Sequence, residues 1–522
     1  MSEPTSRDLL QKVQSARAEV MDAARPEAVA KRRSQGLGTV RERIHGLVDG
    51  GSFREIGALV EPDRDNELNK DLVAPADGAI TGTGLLDGRE ACLVAHDYTV
   101  HGGSIGGAGD RKMRRLLHWS ADRGLPLVML LEGGGHRIQD GMNSAHFAAA
   151  SPVFNDLARL SGWVPNIAAI MGQGFAGPTN YAALADFVVM IRGKSTMGMA
   201  GPALVKAGTG EEISKEDLGG AKRQADQQGI ADLAVDTEEE CFAAIRKFLS
   251  YLPSNASQPL PITSCDDPAD RRDDVLFDLV PADSRKVYDM RKVIEVIADR
   301  DSLFEIKPRY ARNIITCFAR LDGRPVGFIA NQPQRKGGIL DSPASEKVAH
   351  FIAICDAFGL PLVSLIDIPG FSIGSAAEES GLGRRSGRLM FEMGIATVPL
   401  VSIVLRKGYG GGYYAMAGGR AFDADAAFAW PTAEICAMSI EGAVDVAYKR
   451  DYQSADDPQA ARQALIDRIK TQTGATGAAR DFGIDDVIDP RDTRRILIET
   501  FASCPPRRRD TGPPRVRPIS PI

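Results

Sequence analysis

An internal repeat constrains this chain more than any other feature of its sequence. The segment Gly-Leu-Pro-Leu-Val begins at Gly124 and recurs at Gly359, 235 residues later, and Asp-Gly-Arg at Asp87 recurs at Asp322 with the same offset. Further along, a Val-Pro pair and a glycine-rich segment recur with an offset of 234. Several segments that recur at nearly the same offset do not arise by chance. The repeat therefore predicts a tandem of two related domains.

The length supports the same division, because 522 residues exceed what one hydrophobic core normally holds. We expect a first domain over residues 1–252, a proline-rich linker over 253–273 and a second domain over 274–522. Apolar runs at 125–131 and 400–405 predict buried strands, and the pattern at 147–160 predicts a helix. Such alternation of strand and helix signals predicts an α/β fold with crossover connections in each domain.

The composition is that of an ordinary globular protein, with 43% hydrophobic residues and a net charge of -6. This charge argues against a nucleic-acid-binding protein. The seven cysteines are scattered and form no C-x-x-C pair, so neither a disulfide framework nor a structural zinc site is expected. No window approaches the ~18 apolar residues of a membrane helix. We expect a soluble cytoplasmic protein with no membrane partner.

Two glycine clusters follow predicted buried strands. Gly133-Gly134-Gly135 follows the strand at 125–131, and a second triplet that ends at Gly412 follows the strand at 400–405. Unobstructed backbone N–H groups at such a position are donors for an anionic oxygen. Glycine also serves tight turns and close packing, so one isolated triplet would indicate little. Two triplets in related domains favour oxyanion sites.

Other chemistries find little support in the sequence. No phosphate-binding loop, dinucleotide fingerprint or nucleophile elbow is present. The seven histidines show no metal-ligand spacing, so we expect no metal in this chain. His136 alone adjoins a glycine cluster. A reaction that depends on backbone donors fits these observations best.

Several motifs, in order along both halves, carry a resemblance to a known family. From about residue 30 to 500 the chain resembles the carboxyltransferase β subunits of biotin-dependent acyl-CoA carboxylases, the propionyl-CoA and methylcrotonyl-CoA carboxylase group. The motifs are Asp97-Tyr-Thr-Val-His-Gly-Gly-Ser104, Glu132-Gly-Gly-Gly-His-Arg-Ile-Gln139, Gly201-Pro-Ala-Leu-Val-Lys206, Asp217-Leu-Gly-Gly220, Ala330-Asn-Gln-Pro333, Asp367-Ile-Pro-Gly-Phe371 and Arg406-Lys-Gly-Tyr-Gly-Gly-Gly-Tyr413.

The resemblance implies a fold of two crotonase-like (ClpP/crotonase) ββα-spiral domains that arose by duplication. It further implies a ring-shaped homo-hexamer, with each active site between the amino-terminal domain of one subunit and the carboxyl-terminal domain of its neighbour. Acyl-CoA would bind the first domain and carboxybiotin the second. The chain has no biotinylation tetrapeptide and no ATP-binding glycine loop. We therefore expect biotin on a separate α subunit that carries biotin carboxylase and biotin carrier domains.

The resemblance also assigns residues to the reaction. Biotin would give up CO2 and take the α-proton of the acyl thioester, and the resulting enolate would attack the CO2. The N–H groups of Gly134 and Gly135 would hold the enolate oxygen, and those of Gly411 and Gly412 would hold biotin. Further substrate contacts are implied for Arg32, Arg33, His136, Arg137, Gly177, Tyr413 and Tyr414. A run such as Arg32-Arg33 is also typical of a solvated helix face.

The chain departs from the family pattern at several positions. His136 stands where the family has alanine, Pro178 removes a backbone donor, and Gln228 replaces a serine. Tyr414 stands where propionyl-type enzymes have aspartate, as in methylcrotonyl-type enzymes. It is equally interpreted as a core aromatic of a helix face.

The segments 428–434 and 441–444 are instead propionyl-like, and they favour a propionyl-CoA-like substrate. Carboxylation at the α-carbon, or at a vinylogous γ-carbon, is the leading hypothesis. One alternative is the carboxyltransferase subunit of a biotin-dependent acyl-CoA decarboxylase, for which we expect a membrane-integral partner encoded nearby. The other is an inactive paralogue kept for assembly.

Overall fold

The computed structural model describes residues 4–148, 152–507 and 516–520 of the chain. The chain divides into two compact units, one that runs to Gln258 and includes the terminal segment from Pro518, and one from Pro259 to Arg517. The predicted limits at 252, 273 and 522 stay predictions, and 508–515 and 521–522 lie outside the described residues. Residues 253–273 form no helix or strand.

The first unit contains one eight-stranded sheet and eleven α-helices among its described residues. Strands β1–β8 span Arg54–Ile56, Ala79–Leu86, Arg89–His96, Leu127–Gly133, Asn166–Phe175, Phe187–Ile191, Thr196–Gly198 and Leu233–Val235. Helices α1–α11 span Ser6–Glu19, Pro26–Ser34, Val40–Leu47, Gly107–Arg123, Ile138–Gly141, Ser144–Ala148, Val153–Leu160, Gly177–Ala182, Pro202–Thr209, Lys215–Gly219 and Glu238–Tyr251.

The second unit repeats this content. Strands β9–β16 span Phe304–Ile306, Ile314–Leu321, Arg324–Asn331, Leu362–Ile368, Leu400–Tyr409, Ala426–Ala429, Glu434–Cys436 and Asp486–Val487. Helices α12–α22 span Val275–Leu279, Met290–Ile297, Ser342–Phe358, Ser375–Glu379, Leu382–Ile395, Gly410–Ala415, Ile440–Ala447, Lys449–Gln453, Pro458–Thr473, Ala475–Arg480 and Thr493–Ser503.

Short 3₁₀ and π turns connect these elements. The 3₁₀ turns lie at Asp22–Ala24, Glu67–Asn69, Pro75–Gly78, His101–Gly103, Lys336–Gly338 and Pro490–Asp492, and the π turn lies at Lys222–Gln227. Of the helix predicted at 147–160, residues 149–151 lie outside the described part. The remainder belongs to two helices, one that ends at Ala148 and one that begins at Val153 after Pro152.

The two sheets share one strand order. In the first it is β1-β2-β3-β4-β5-β6-β8 with β7 paired to β5, and in the second it is β9-β10-β11-β12-β13-β14-β16 with β15 paired to β13. The hairpins β2–β3 and β10–β11 are antiparallel, and the strands that follow them pair in parallel. The prediction of two related α/β units is confirmed.

The Asp-Gly pairs of the repeat form the hairpin turns, as expected. Asp87 and Asp322 both have a φ of 51°, and the glycine after each also has a positive φ, which suits a type I′ turn. The strands that follow, β4 and β12, are buried along their whole length, as expected for parallel strands covered on both faces. No helix in the described part of the chain is long and apolar enough to cross a bilayer.

Each unit also fastens its longest helix with a buried lysine at the same position of the repeat. Lys112 of α4 donates to the carbonyl oxygens of Ala76 and Ala79, and Lys347 of α14 donates to three carbonyl oxygens between Lys307 and the first residue of β10. Carbonyl groups that would otherwise be buried without a partner are thereby satisfied. These bonds fix the helix that precedes β4 in the first unit and β12 in the second.

Candidate active site

The first site lies where β4 ends. The carbonyl of Gly135 accepts a hydrogen bond from the N–H of Ile105 (3.0 Å), and the N–H of Arg137 donates to the carbonyl of Ile105 (2.8 Å). These two bonds hold the loop against the segment before α4. The N–H groups of Gly134 and Gly135 make no hydrogen bond to any residue that the structure describes. Both remain available as donors.

A second element completes this site. The start of α8 packs directly on the loop, because a Cβ atom placed on Gly135 would lie 3.0 Å from the backbone nitrogen of Gly177. Within the described residues, the Gly177 N–H also has no hydrogen-bond partner. The first-turn N–H groups of a helix carry partial positive charge. Amides from a strand end and from a helix start therefore lie side by side, as an oxyanion requires.

Ala176 is strained at the junction between β5 and α8. Its φ is 60° and its ψ is -117°, a combination that residues with a Cβ atom rarely adopt. Gly410 holds the same position of the repeat and has a φ of 60°. Strain of this kind persists where the surrounding structure imposes it. The turn that presents the Gly177 amide is thus retained in the first unit although Ala176 is strained there.

The second unit builds the same arrangement. The N–H of Leu340 donates to the carbonyl of Gly370 (3.2 Å), and the N–H of Ser372 donates back to Leu340 (2.8 Å). At the start of α17, a Cβ atom on Gly412 would lie 3.0 Å from the Cα of Gly370. No described residue accepts a hydrogen bond from the N–H of Gly411. A strand-end loop and a helix start meet here as well.

The two glycine triplets do not hold equivalent positions in the two units. Gly135 corresponds to Gly370 and Gly177 to Gly411, so each site draws on both elements, whereas the two triplets come from non-equivalent strands. The triplet at 410–412 forms the first turn of α17 and does not precede the helix as a loop. Sequence reasoning missed Gly370 as a site residue. The offset of 235 between Gly135 and Gly370 was the signal that could have identified it.

A buried carboxylate anchors the first loop from beneath. Glu132 accepts two hydrogen bonds from Arg32 (2.8 and 2.7 Å) and another from Arg43. Its backbone carbonyl lies 3.0 Å from Nδ1 of His96, and burial lowers the pKa of His96 to about 4. Because Glu132 directly precedes the glycine cluster, the helices α2 and α3 fix the position of the site.

The second unit anchors its loop differently. Asp367 holds the position of Glu132 in the repeat. Its carboxylate accepts a hydrogen bond from Arg406 of the adjacent strand β13 (2.9 Å) and lies 3.3 Å from Nζ of Lys407. In the first unit Gly172 holds the place of Arg406. A Cβ atom there would lie 2.1 Å from Oε1 of Glu132. The same buried acid is thus neutralised by its own sheet in one unit and by amino-terminal helices in the other.

Two predicted substrate contacts are engaged inside the first unit. The side chain of Arg32 is 5% exposed and bound to Glu132, with its guanidinium over the ring of Tyr98. The side chain of Arg137 is 1% exposed and pairs with Asp77. Both guanidiniums hold the loops that carry the glycine amides, and their predicted contacts with the substrate stay predictions.

Arg33 lies at the surface, where it pairs with Glu42 and lines an open cleft of about 780 Å³ together with Lys194 and Arg246. Its predicted contact with CoA stays a prediction, and the cleft is large enough for part of a nucleotide.

The two tyrosines of the second site differ in exposure. Tyr413 is buried and packs beside Gly408 and Gly418, and its predicted contact with substrate stays a prediction. Tyr414 is 58% exposed, and its ring lies 5.5 Å from that of Tyr413. The interpretation of Tyr414 as a core aromatic is therefore wrong. Its predicted role in substrate selection stays a prediction.

Comparison with known proteins identifies the family. The model of the carboxyl transferase domain matches residues 31–517. The chain belongs to the carboxyl transferase family. It is 39% identical over 497 residues to the carboxyltransferase subunit of propionyl-CoA carboxylase from Haloferax mediterranei, with 95% of each chain covered. It is also 38% identical over 485 residues to the alpha subunit of methylmalonyl-CoA decarboxylase from Veillonella parvula, with 93% of each covered.

Solved structures agree with this assignment. The chain is similar to transcarboxylase 12S, described as a hexamer with methylmalonyl-CoA bound, with a TM-score of 0.92, 36% identity and coverage of 100% of this chain and 99% of that one. The family predicted from the motifs is confirmed, and with it the tandem crotonase-like fold. The chain is a carboxyltransferase of the biotin-dependent acyl-CoA carboxylase type.

Proposed function

We propose that the chain transfers CO2 between carboxybiotin and the α-carbon of a short- or medium-chain acyl-CoA, as the carboxyltransferase subunit of an acyl-CoA carboxylase with a propionyl-CoA-like substrate. Transfer to a vinylogous γ-carbon belongs to the same proposal. The observation that carries it is the presence, in each unit, of amides that have no partner among the described residues. The names of its relatives, propionyl-CoA carboxylase among them, support the substrate class.

The first unit would bind the thioester. The N–H groups of Gly135 and Gly177, whose backbones are in contact, and that of Gly134 would donate to the thioester oxygen, and their partial positive charge would favour an enolate over a neutral thioester. In the second unit the N–H of Gly411 would hold the ureido oxygen of biotin. When bound, biotin supplies the CO2 and accepts the α-proton, so the chain itself needs no nucleophile.

The partners follow from the proposal that the first unit binds the thioester and the second binds biotin. We propose that biotin reaches the second unit on a separate α subunit with biotin carboxylase and carrier domains, and that the chain assembles as a homo-hexamer. The hexameric description of transcarboxylase 12S supports the assembly. In such a ring the amino-terminal unit of one subunit would face the carboxyl-terminal unit of the next.

A decarboxylase is the second candidate, because two relatives are alpha subunits of methylmalonyl-CoA decarboxylases, from Veillonella parvula and Propionigenium modestum. The same amides would serve transfer in either direction, since both directions share one transition state. The inactive paralogue is less well supported. Pro178 lies one residue beyond the Gly177 amide and leaves that donor in place, and Gln228 is exposed at the surface.

One pair of substitutions tests the proposal. Gly411→Pro deletes the N–H, whereas Gly411→Ala keeps it and places a Cβ atom in ordinary contact with Phe371 at 3.4 Å. The assay is transfer of a radiolabelled carboxyl group from methylmalonyl-CoA to free biotin. We expect the proline variant to lose about 10²–10³ in kcat, with acyl-CoA binding retained, and the alanine variant to stay active. Equal turnover by the two variants would contradict the role of the Gly411 amide.

The unmodified chain provides the wider test. Failure to transfer the label from any of a panel of α-carboxylated acyl-CoAs would overturn the proposed function.

A further inference from the structure

The first site carries polar side chains that the proposed reaction does not use. His136 follows Gly135, and its side chain is 26% exposed. Nδ1 of its ring lies 3.8 Å from a carboxylate oxygen of Asp110, in the first turn of α4, and the ring of Phe147 packs edge-on at 5.9 Å. Neither ring nitrogen makes a hydrogen bond to a residue that the structure describes. The imidazole thus retains a donor or acceptor for a ligand.

Asp110 and Tyr181 extend this polar group. Burial, and then the charges of Asp77 and Asp140, raise the pKa of Asp110 to about 7. Two ring carbons of Tyr181 would lie 3.8 Å from a Cβ atom on Gly177, so the phenol stands beside the helix amide of the site. Burial, and then the charge of Asp110, raise the pKa of Tyr181. The structure describes no hydrogen-bond partner for its hydroxyl. We call His136, Asp110 and Tyr181 the polar trio.

The second unit shows that the fold does not require the polar trio. The equivalent positions hold Phe371, Ser345 and Ala415. Ser345 donates to the backbone carbonyl of Asp341, which caps its helix, and Ala415 is fully buried. The same strand-end loop and helix start are therefore built there without an imidazole, a carboxyl or a phenol. A structural role common to both units does not explain the trio.

The character of the trio indicates what it would bind. A purely hydrocarbon acyl chain would displace water from these groups and offer no hydrogen bond in return, which is unfavourable. A carboxylate on the acyl chain would enter a region that already holds the three acidic residues Asp77, Asp110 and Asp140, against the cations Arg137 and Arg111. An uncharged hydroxyl or oxo group satisfies the trio without adding negative charge.

We propose that His136, Asp110 and Tyr181 select an acyl-CoA whose acyl group carries an uncharged hydroxyl or oxo group near its β-carbon. This proposal depends on the proposed function, because it assumes that the thioester occupies the Gly135 and Gly177 amides. Sites that hydrogen-bond a substrate hydroxyl discriminate by about 10⁴–10⁵ when fully enclosed. Since the His136 side chain is partly exposed, we expect a smaller preference of about tenfold to a hundredfold.

The test is calorimetric titration of the full-length chain with 3-hydroxybutyryl-CoA and with butyryl-CoA, which differ by one hydroxyl, and with succinyl-CoA as the anionic probe. The hydroxylated thioester should bind at least about tenfold more tightly than either of the others. In His136→Phe, which installs the side chain of the second unit, the preference should fall to about one, with butyryl-CoA bound as well as before or better. In Asp110→Asn it should fall part of the way.

The outcomes separate the two proposals. Equal binding of the hydroxylated and saturated thioesters by the unmodified chain, or a preference that survives His136→Phe, overturns the inference while leaving the proposed function in place. Tighter binding of succinyl-CoA than of the hydroxylated thioester also overturns it. No binding of any thioester by the folded chain would overturn both proposals.

Discussion

The anchor beneath the first site permits a quantitative prediction. Glu132 is 1% exposed and neutralises Arg32, for which it is the single carboxylate partner that the structure describes, whereas Arg43 also pairs with Glu238. Glu132→Gln removes the charge and leaves the buried Arg32 guanidinium without an anion, which typically costs about 3–5 kcal/mol. Arg32→Ala leaves Glu132 paired with Arg43, so its cost should be lower, about 1.5–3 kcal/mol for the lost charged hydrogen bonds.

Differential scanning calorimetry measures this difference. In a unit of this size, 1 kcal/mol corresponds to about 2–4 °C in Tm, so Glu132→Gln should lower the transition of the first unit by roughly 10 °C. Arg33→Ala is the matched control, because that neighbouring arginine makes an exposed ion pair with Glu42 that contributes at most about 1 kcal/mol. The reasoning fails if Glu132→Gln melts with the unmodified chain, or if Arg32→Ala is the more damaging variant.

Two further predictions concern the same region. Ala176→Gly should raise Tm by a few degrees, because relief of about 1–3 kcal/mol of backbone strain exceeds the ~0.5–1 kcal/mol entropic cost of glycine. Gly410→Ala should lower Tm, because it introduces the same strain in the second unit. If calorimetry shows Tm changing in the same direction in both variants, the strain argument is refuted. Burial and the neighbouring carboxylates raise the folded pKa of Asp110 from its ordinary value of 3.8 to about 7, so its ionisation lowers the free energy of unfolding as the pH rises across that interval. Asp110→Asn should therefore gain Tm over the unmodified chain as the pH rises from about 4 to about 7, and a difference independent of pH would contradict the shift.

The elements that a local pattern determines were predictable. The apolar runs and the Asp-Gly turns place the central strands and hairpins, because burial on both faces and a positive φ each demand particular residues. The ends of the strands were not predictable. β5 continues to Phe175 and β13 to Tyr409 because β7 and β15, more than twenty residues further along the chain, pair with them there. That pairing is a tertiary contact and leaves no local signal.

The candidate site also has features that the local sequence predicted and features that it did not. Glycine after a buried strand indicated the loops with free amides, since it is the backbone that acts there. The basic run at 31–33 indicated positive charge but not which acidic residue it would pair with, because Glu132 lies 100 residues away from Arg32 in the chain. A surface run and a buried ion pair have the same local sequence. The geometry that distinguishes them arises when helix α2 packs on the end of β4.

The unequal anchoring of the two buried acids has a practical consequence for shortened versions of the protein. Helix α1 has no buried residue, so its removal should leave calorimetric stability almost intact. A start at residue 50 would preserve both sheets yet remove Arg32 and Arg43, and Glu132 would then lie in the interior with no cation opposite it. Residues 26–47 are therefore as much a part of the first catalytic scaffold as the strands themselves.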